Sequence, residues 1–432
     1  AVRRLRAEAL WGLTRAYGFA GDLAAAGRTA AEGGEIARAA GDLWMAALID
    51  LALGASLTLA GQPVAAQPIL TGGLNAMQDC GDRLGQTAAR LWLALAQADG
   101  GRAAASTTHR DEALVLAEAH HYDFLFTAPT LLGPPDPRRL VPLLLAARAA
   151  GSAYAARLLA AQGLADLTIH PGYQLRVQTL GALRVWRGAA EVLPAAWQRD
   201  KARRLFGLLL TERDRALGRE TLVDRLWPDL SAEAAGRDFK VALNALNKAL
   251  EPARSGDAAF AYIVREGTAY QLRPEADLWL DTAAFAQGCR HGLALLDSGQ
   301  AAAGIAALEE ALALYSGEYL PDALYDDWAT AERERLRTLY LRAADRLAAA
   351  LLVAGQPDSA VGVAEALLRH DPCWEHAYVL LMQAHSAAGN RPQAVRAYTR
   401  CRAVLHTELG VAPAPATLTV YHGIIADDPA SA

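Results

Sequence analysis

Apolar residues recur at helical spacing over most of this chain, and short glycine-led turns interrupt them at regular intervals. Gly21-Asp22, Gly41-Asp42, Gly61-Gln62, Gly81-Asp82 and Gly101-Arg102 stand twenty residues apart, so a pair of helices repeats every forty. Trp11, Leu13 and Tyr17 offer the first helix a packing face, and Leu51, Leu53 and Leu57 do so one repeat later. Neither helix of such a unit can bury its apolar side alone, so the units are expected to stack into a solenoid. The pattern breaks at the proline-rich run from Thr127 to Pro137. Two shorter helices are expected around Leu140–Ala149 and Ala153–Gln162, before a linker from Ala165 to Gly172.

From Tyr173 the period changes to alternation. Leu175 and Val177, then Leu183 and Val185, with turns at Gly181 and Gly188, read as short strands. A helix over Asp200–Leu210 follows, with Arg199, Lys201, Arg203 and Arg204 at its start. A second helix runs near Arg219–Leu226 and closes on Trp227-Pro228-Asp229. The third is the most informative stretch of the chain, Ser231 to Leu250. Ser231 is a good N-cap, and Glu233 sits in the first turn. Phe239, Leu243, Leu246 and Leu250 share one face; Arg237, Lys240, Val241, Asn244 and Lys248 share the opposite one, with Asn247 at its edge. That polar face reads as cations and amides without an acid, a surface suited to an anion. Two runs, Tyr262-Ile263-Val264 and Tyr270-Gln271-Leu272, flank a tip at Arg265–Thr268 and predict a hairpin. Strands, three helices and a final hairpin make a winged helix-turn-helix.

After Asp277–Asp281 the chain is helical nearly to its end, with turns at Gly355-Gln356 and Gly389-Asn390 set 34 residues apart. Trp328, Leu336, Leu339 and Tyr340 form an apolar stripe, while Glu332, Arg333, Glu334 and Arg335 read as a solvated charged face. The fold class is mainly α. A tetratricopeptide-like solenoid is expected over residues 1–165, an α+β winged helix over 173–276 and a second tetratricopeptide-like helical domain over 277–426. The first helix opens abruptly at Ala1-Val2-Arg3 without a capping repeat, which suggests the C-terminal part of a longer protein.

Composition narrows the function. Hydrophobic residues make up 53% of the 432 and charged residues 21%, so sizeable cores can form. The net charge of −5 is too small to argue for a general nucleic-acid or membrane partner. Its distribution says more: Tyr173 to Ala276 holds 17 Lys and Arg against 13 Asp and Glu, a basic segment in an acidic chain. Cys80, Cys289, Cys373 and Cys401 form no CxxC pair and read as buried thiols in a reducing cytoplasm. No apolar run is long enough to span a bilayer, and no signal-peptide pattern opens the chain.

Catalytic patterns are missing. The sequence has no GxxxxGK[ST] loop, GxSxG elbow or HExxH helix. His370, Cys373 and His376 have spacing that could suit a metal but lack a nearby fourth ligand; packing and capping explain them better. Glu332 and Glu334 fall on different helix faces. No catalytic residue, metal or cofactor is therefore expected.

Three runs, AWQRDKARRLFGLLL, GRETLVDRLWPD and RDFKVALNALNKALEP, resemble the DNA-binding domain of the streptomycete antibiotic regulatory proteins, whose winged helix is similar to that of OmpR-type response regulators. The resemblance implies that Ser231–Leu250 enters a major groove and that the hairpin tip, with Arg265 and Thr268, meets the minor groove or the backbone. Arg237 and Lys240 would then meet phosphates or bases, Asn244 and Asn247 base edges, with Val241 and Lys248 beside them and Arg203 as a further contact. Ala245 and Asn247 depart from the arginines frequent in that family, which implies weaker binding and reliance on tandem sites. The C-terminal runs YSGEYLPDALYDDWATAERERLRTLYL and AGNRPQAVRAYTRCRAVLHTELGVAPAPAT resemble the bacterial transcriptional activation domain of the same regulators.

Together the resemblances imply a bacterial, cytoplasmic activator on direct-repeat promoter DNA. It would assist RNA polymerase and self-associate on its sites, and its N-terminal repeats would receive a protein or small-molecule signal. The alternatives are a protein-interaction scaffold, or the regulatory C-terminal part of a larger signalling ATPase.

Overall fold

The computed structural model of the chain describes residues 2–254, 256 and 258–426. They gather into two compact units. One holds the chain as far as Gln174 together with Glu251–Val264 and Arg273–Asp277; the other holds Leu175–Leu250, Arg265–Leu272 and the chain from Leu278 onward.

In the first unit, helices α1 (Val2–Phe19), α2 (Leu23–Ala39), α3 (Leu43–Leu59), α4 (Pro63–Asp79), α5 (Arg83–Asp99) and α6 (Ala103–His120) form the expected forty-residue hairpins. Asp22, Asp42 and Asp82 cap α2, α3 and α5 by accepting from the amides of Ala25, Met45 and Gly85 at 2.9–3.0 Å. The glycine before each adopts positive φ, which ends the preceding helix. The packing face of α1 differs from expectation. Ala7, Leu10 and Thr14 are buried, whereas Leu13 and Tyr17 are 43% and 40% exposed. Cys80 is exposed as well, unlike the expected buried thiol.

The proline-rich run is not a loose linker, because Leu132 accepts from the indole of the buried Trp92 at 2.7 Å. Helix α7 (Phe124–Thr127) leads into it, and α8 (Val141–Ala149) and α9 (Ala153–Ala161) follow. Asp277 is buried in this unit. It takes an ion pair from Arg138 and a 2.7 Å hydrogen bond from Gln174, and it lies 3.3 Å from Nε2 of His170. Nδ1 of His170 accepts from the Gly172 amide, so the ring proton sits on Nε2 and points at the carboxylate.

The second unit begins with β1 (Leu175–Gln178), β2 (Arg184–Arg187) and β3 (Ala190–Glu191). Helix α10 (Asp200–Thr211), strand β4 (Leu217–Gly218), α11 (Arg219–Leu226) and α12 (Ala232–Leu250) follow, then β5 (Ile263–Glu266), whose first two residues count with the first unit, β6 (Ala269–Leu272) and β7 (Leu278–Leu280). The sheets run β3-β2-β1-β7 and β4-β6-β5. Strand β7 lies parallel to β1, pairing Arg176 with Trp279. The sequence showed only a boundary there. Asp281 explains the pairing: its buried carboxylate accepts from the amides of Thr179 and Leu180 at 2.7 Å and from the Thr179 hydroxyl at 2.8 Å.

The remainder is helical: α13 (Asp281–Asp297), α14 (Ala301–Ala313), α15 (Asp327–Val353), α16 (Pro357–His370), α17 (Glu375–Ala387), α18 (Arg391–Leu409) and α19 (Pro415–Ala426). The face read as solvated is so only in part: Glu334 and Arg335 are exposed, but Arg333 is not. Arg333 is 6% exposed and donates to the carbonyls of Tyr319, Ala323 and Leu324; Glu332 pairs with Arg335 and approaches Arg213. His370 packs edge-on against Tyr315 and Tyr340, and His376 bonds Asp345 at 2.6 Å. Among the described residues, no three His, Cys, Asp or Glu side chains are grouped to hold a metal, and no helix is long and apolar enough to cross a membrane.

Candidate nucleic-acid interface

Helix α12 owes its position to one aromatic residue. Phe239 is buried between Trp227, at the end of α11, and Tyr270, in β6, with ring centroids 6.3 and 5.2 Å away and both contacts edge-on. Ala235, Ala242, Leu246 and Leu250 complete the buried side at helical spacing. Ser231 caps the helix by accepting from the Ala234 amide at 3.4 Å.

That anchoring leaves Arg237, Lys240, Val241, Asn244 and Lys248 exposed on one face. Val241 is 45% exposed, which gives the face an apolar contact among its cations and its amide. Lys240 and Lys248 have no acidic partner among the described residues. The face is not free of acid at its start, however, because Glu233 reaches forward one turn and pairs with Arg237. Both side chains are well exposed, so the pair is cheap to exchange for a phosphate.

Two sequence-predicted contacts fall elsewhere. Asn247 is 8% exposed, and its Oδ1 has no hydrogen-bond partner among the described residues, so it cannot reach a base edge from this position. The helical wheel put it at the margin; the tight packing of small residues Ala245 and Ala249 draws that margin inward. Ala245 is likewise buried, so neither position faces outward to a phosphate, and the weaker binding expected from these two departures does not follow from them. Arg203 is also diverted. Its guanidinium donates to the Leu183 carbonyl at 3.3 Å and faces Asp322 at 3.5 Å, while Arg204 pairs with Asp326. Both arginines of α10 thus hold the winged helix to the segment leading into α15.

At the hairpin tip Arg265 and Thr268 are exposed. Nε of Arg265 donates to the Gly267 carbonyl at 2.8 Å, and its guanidinium lies 5.8 Å from the Tyr270 ring centre. Gly267 has φ +60°, the backbone state that this tight turn requires. The Thr268 carbonyl accepts from the Arg219 amide at 2.9 Å. Arg219 escaped sequence reading because a lone arginine at a helix start carries no pattern.

Comparisons with known proteins place parts of this chain beside bacterial regulators. Residues 280–425 match the family model of the bacterial transcriptional activator domain. The chain is 29% identical over 261 residues to the regulatory protein AfsR of Streptomyces coelicolor, covering 60% of this chain and 25% of AfsR. It is 26% identical over 225 residues to the transcriptional regulatory protein MoaR1 of Mycobacterium tuberculosis, covering 52% of this chain and 72% of MoaR1. The chain therefore spans a quarter of the length of AfsR. Among solved structures, Mycobacterium tuberculosis EmbR in complex with a low-affinity phosphopeptide shares the fold at 21% identity and a TM-score of 0.50, over 60% of this chain and 66% of EmbR. Residues 280–425 accordingly match the bacterial transcriptional activator domain, which here follows a winged helix and a helical-repeat segment, and over part of its length the chain is similar to the regulators AfsR and MoaR1.

Proposed function

We propose that this chain is a sequence-specific DNA-binding transcriptional regulator of the bacterial cytoplasm, acting as an activator. Helix α12 enters the major groove. Arg237, Lys240 and Lys248 meet phosphates or guanine edges, Asn244 pairs with an adenine edge, and Val241 touches a thymine methyl. Arg265 and Thr268 meet the backbone or minor groove from the hairpin tip. The activator domain, held to α10 by the Arg203 and Arg204 pairs, pairs protomers on direct repeats and assists RNA polymerase. The N-terminal repeats receive the protein or small-molecule signal. The reading needs no catalytic residue, cofactor or metal.

The observation that carries this reading is the polar face of α12: three cations and an amide exposed around one valine, beside a hairpin tip with an exposed arginine. Genome-wide footprinting of the bound protein tests it. The expected result is protection of promoter regions as two tandem half-sites whose centres repeat by about 10–11 base pairs or a multiple. Protection without sequence preference, or none, would favour the scaffold reading instead.

A further inference from the structure

Arg219, half-buried at the start of α11, touches both parts of the candidate interface, α12 and the hairpin tip. Its amide donates to the Thr268 carbonyl at 2.9 Å, which fixes the base of the hairpin tip. Its Nη2 donates to the Gly236 carbonyl in the second turn of α12 at 3.2 Å. Its guanidinium also lies over the Phe239 ring, 5.9 Å from the centre. The residue itself opens α11. One arginine thus links the N-terminus of α11, the start of α12 and the tip between β5 and β6.

Gly236 makes the bridge possible. A Cβ built there would stand 2.6 Å from Nη2 of Arg219, so a side chain at position 236 obliges the guanidinium to shift from where it lies. Glycine is a poor choice on helical propensity in the interior of a 19-residue helix, and its presence is accounted for by the arginine lying against it. The same residues line an open cleft of about 820 Å³, bounded by Arg219, Glu220, Trp227, Ala232, Gly236 and Thr268. Beside the packing of Phe239 on Tyr270, the bridge is a second tie between the start of α12 and the hairpin tip, on the cleft side.

We propose that Arg219 is a positioning residue for DNA discrimination: it fixes α12 and the hairpin tip relative to each other without itself contacting a phosphate. The inference rests on the DNA-binding reading and deepens it. A guanidinium spent on the Gly236 carbonyl and the Phe239 face contributes no counterion release, so its removal should alter which bases are read and leave the electrostatic term intact. Lysine cannot replace it, because an ammonium lacks the planar fork that spans a carbonyl and a ring face.

The test uses the full chain and a duplex that the wild-type protein enriches from a random-sequence pool. Binding is measured over a range of salt for wild type, Arg219→Ala, Arg219→Lys and Gly236→Ala, against that duplex and its single-base variants. The expected result is about tenfold weaker binding to the selected duplex for all three variants, with flattened discrimination among single-base variants. The slope of log affinity against log salt should stay that of wild type. Gly236→Ala keeps the test sound if Arg219→Ala unfolds, because alanine favours the helix while displacing the arginine. A slope reduced by about 0.9 in Arg219→Ala would mark a lost phosphate contact and overturn the positioning role. Unchanged discrimination in Gly236→Ala would overturn it too. Failure of the wild-type chain to enrich any duplex would instead overturn the DNA-binding reading beneath it.

Discussion

At the scale of single residues, the two asparagines of α12 separate surface from core. Asn244 is exposed, whereas Asn247, three residues on, is buried with an unpartnered carbonyl oxygen. An unpaired buried amide costs about 1–3 kcal/mol. Asn247→Ala is therefore expected to leave thermal stability unchanged or raise it, with no effect on DNA affinity. Asn244→Ala should cost about 1–3 kcal/mol of discrimination at one base pair. Melting curves and binding to single-base variants check both, and a loss of affinity in Asn247→Ala would place that side chain at the interface after all. Asp277 makes a second case, in the other compact unit. Burial pushes its carboxyl upward, but the hydrogen bonds from His170, Gln174 and Arg138 outweigh burial and hold it below the usual range. A carboxyl lowered in the folded state stabilises above its unfolded value of about 3.9, and that contribution is lost as pH falls through the lowered value. Asp277→Asn should cost about 2 kcal/mol at neutral pH, in the range for hydrogen bonds to a charged group. Its stability should also depend less on pH than that of wild type below about pH 4. Urea melts from pH 6 to 3 measure the difference, and parallel curves for the two proteins would contradict it.

At the scale of elements, periodicity was legible wherever one face of an element meets a core. The twenty-residue turns, the three helices of the winged helix and the hairpin tip all follow from spacing, N-caps and glycine positions. What escaped was pairing that depends on distant residues. Strand β7 has three residues, too few to show alternation, and exists because Asp281 ties its end to the amides of Thr179 and Leu180, about a hundred positions earlier. Arg333 read as solvated because its neighbours in sequence are charged, yet three carbonyls of the loop before α15 enclose it. Arg203 was expected as a further DNA contact, and only Asp322 and Asp326, more than a hundred residues on, reveal it and Arg204 as a clasp. The polar face of α12 was legible because it is local. Its true margin at Asn247 was not, since that depends on how deeply small residues let the helix sink.

At the scale of the whole molecule, the three domains expected from sequence gather into two compact units. The body of the winged helix shares one unit with the activator domain, through α10 and α15. The segments on either side of the hairpin tip, Glu251–Val264 and Arg273–Asp277, gather instead with the helical repeats. Both ends of the hairpin therefore continue into chain held by the repeat unit, through Tyr262, whose hydroxyl donates to the Tyr173 carbonyl at 2.7 Å, and through the Asp277 cluster. The central claim remains that the exposed cations of α12 meet duplex DNA, and the salt dependence of binding measures it most directly. For the duplex selected by the wild-type chain, the double variant Lys240→Ala, Lys248→Ala should lower the slope of log affinity against log salt by about two. An identical slope in wild type and double variant, or binding indifferent to salt, would contradict the account.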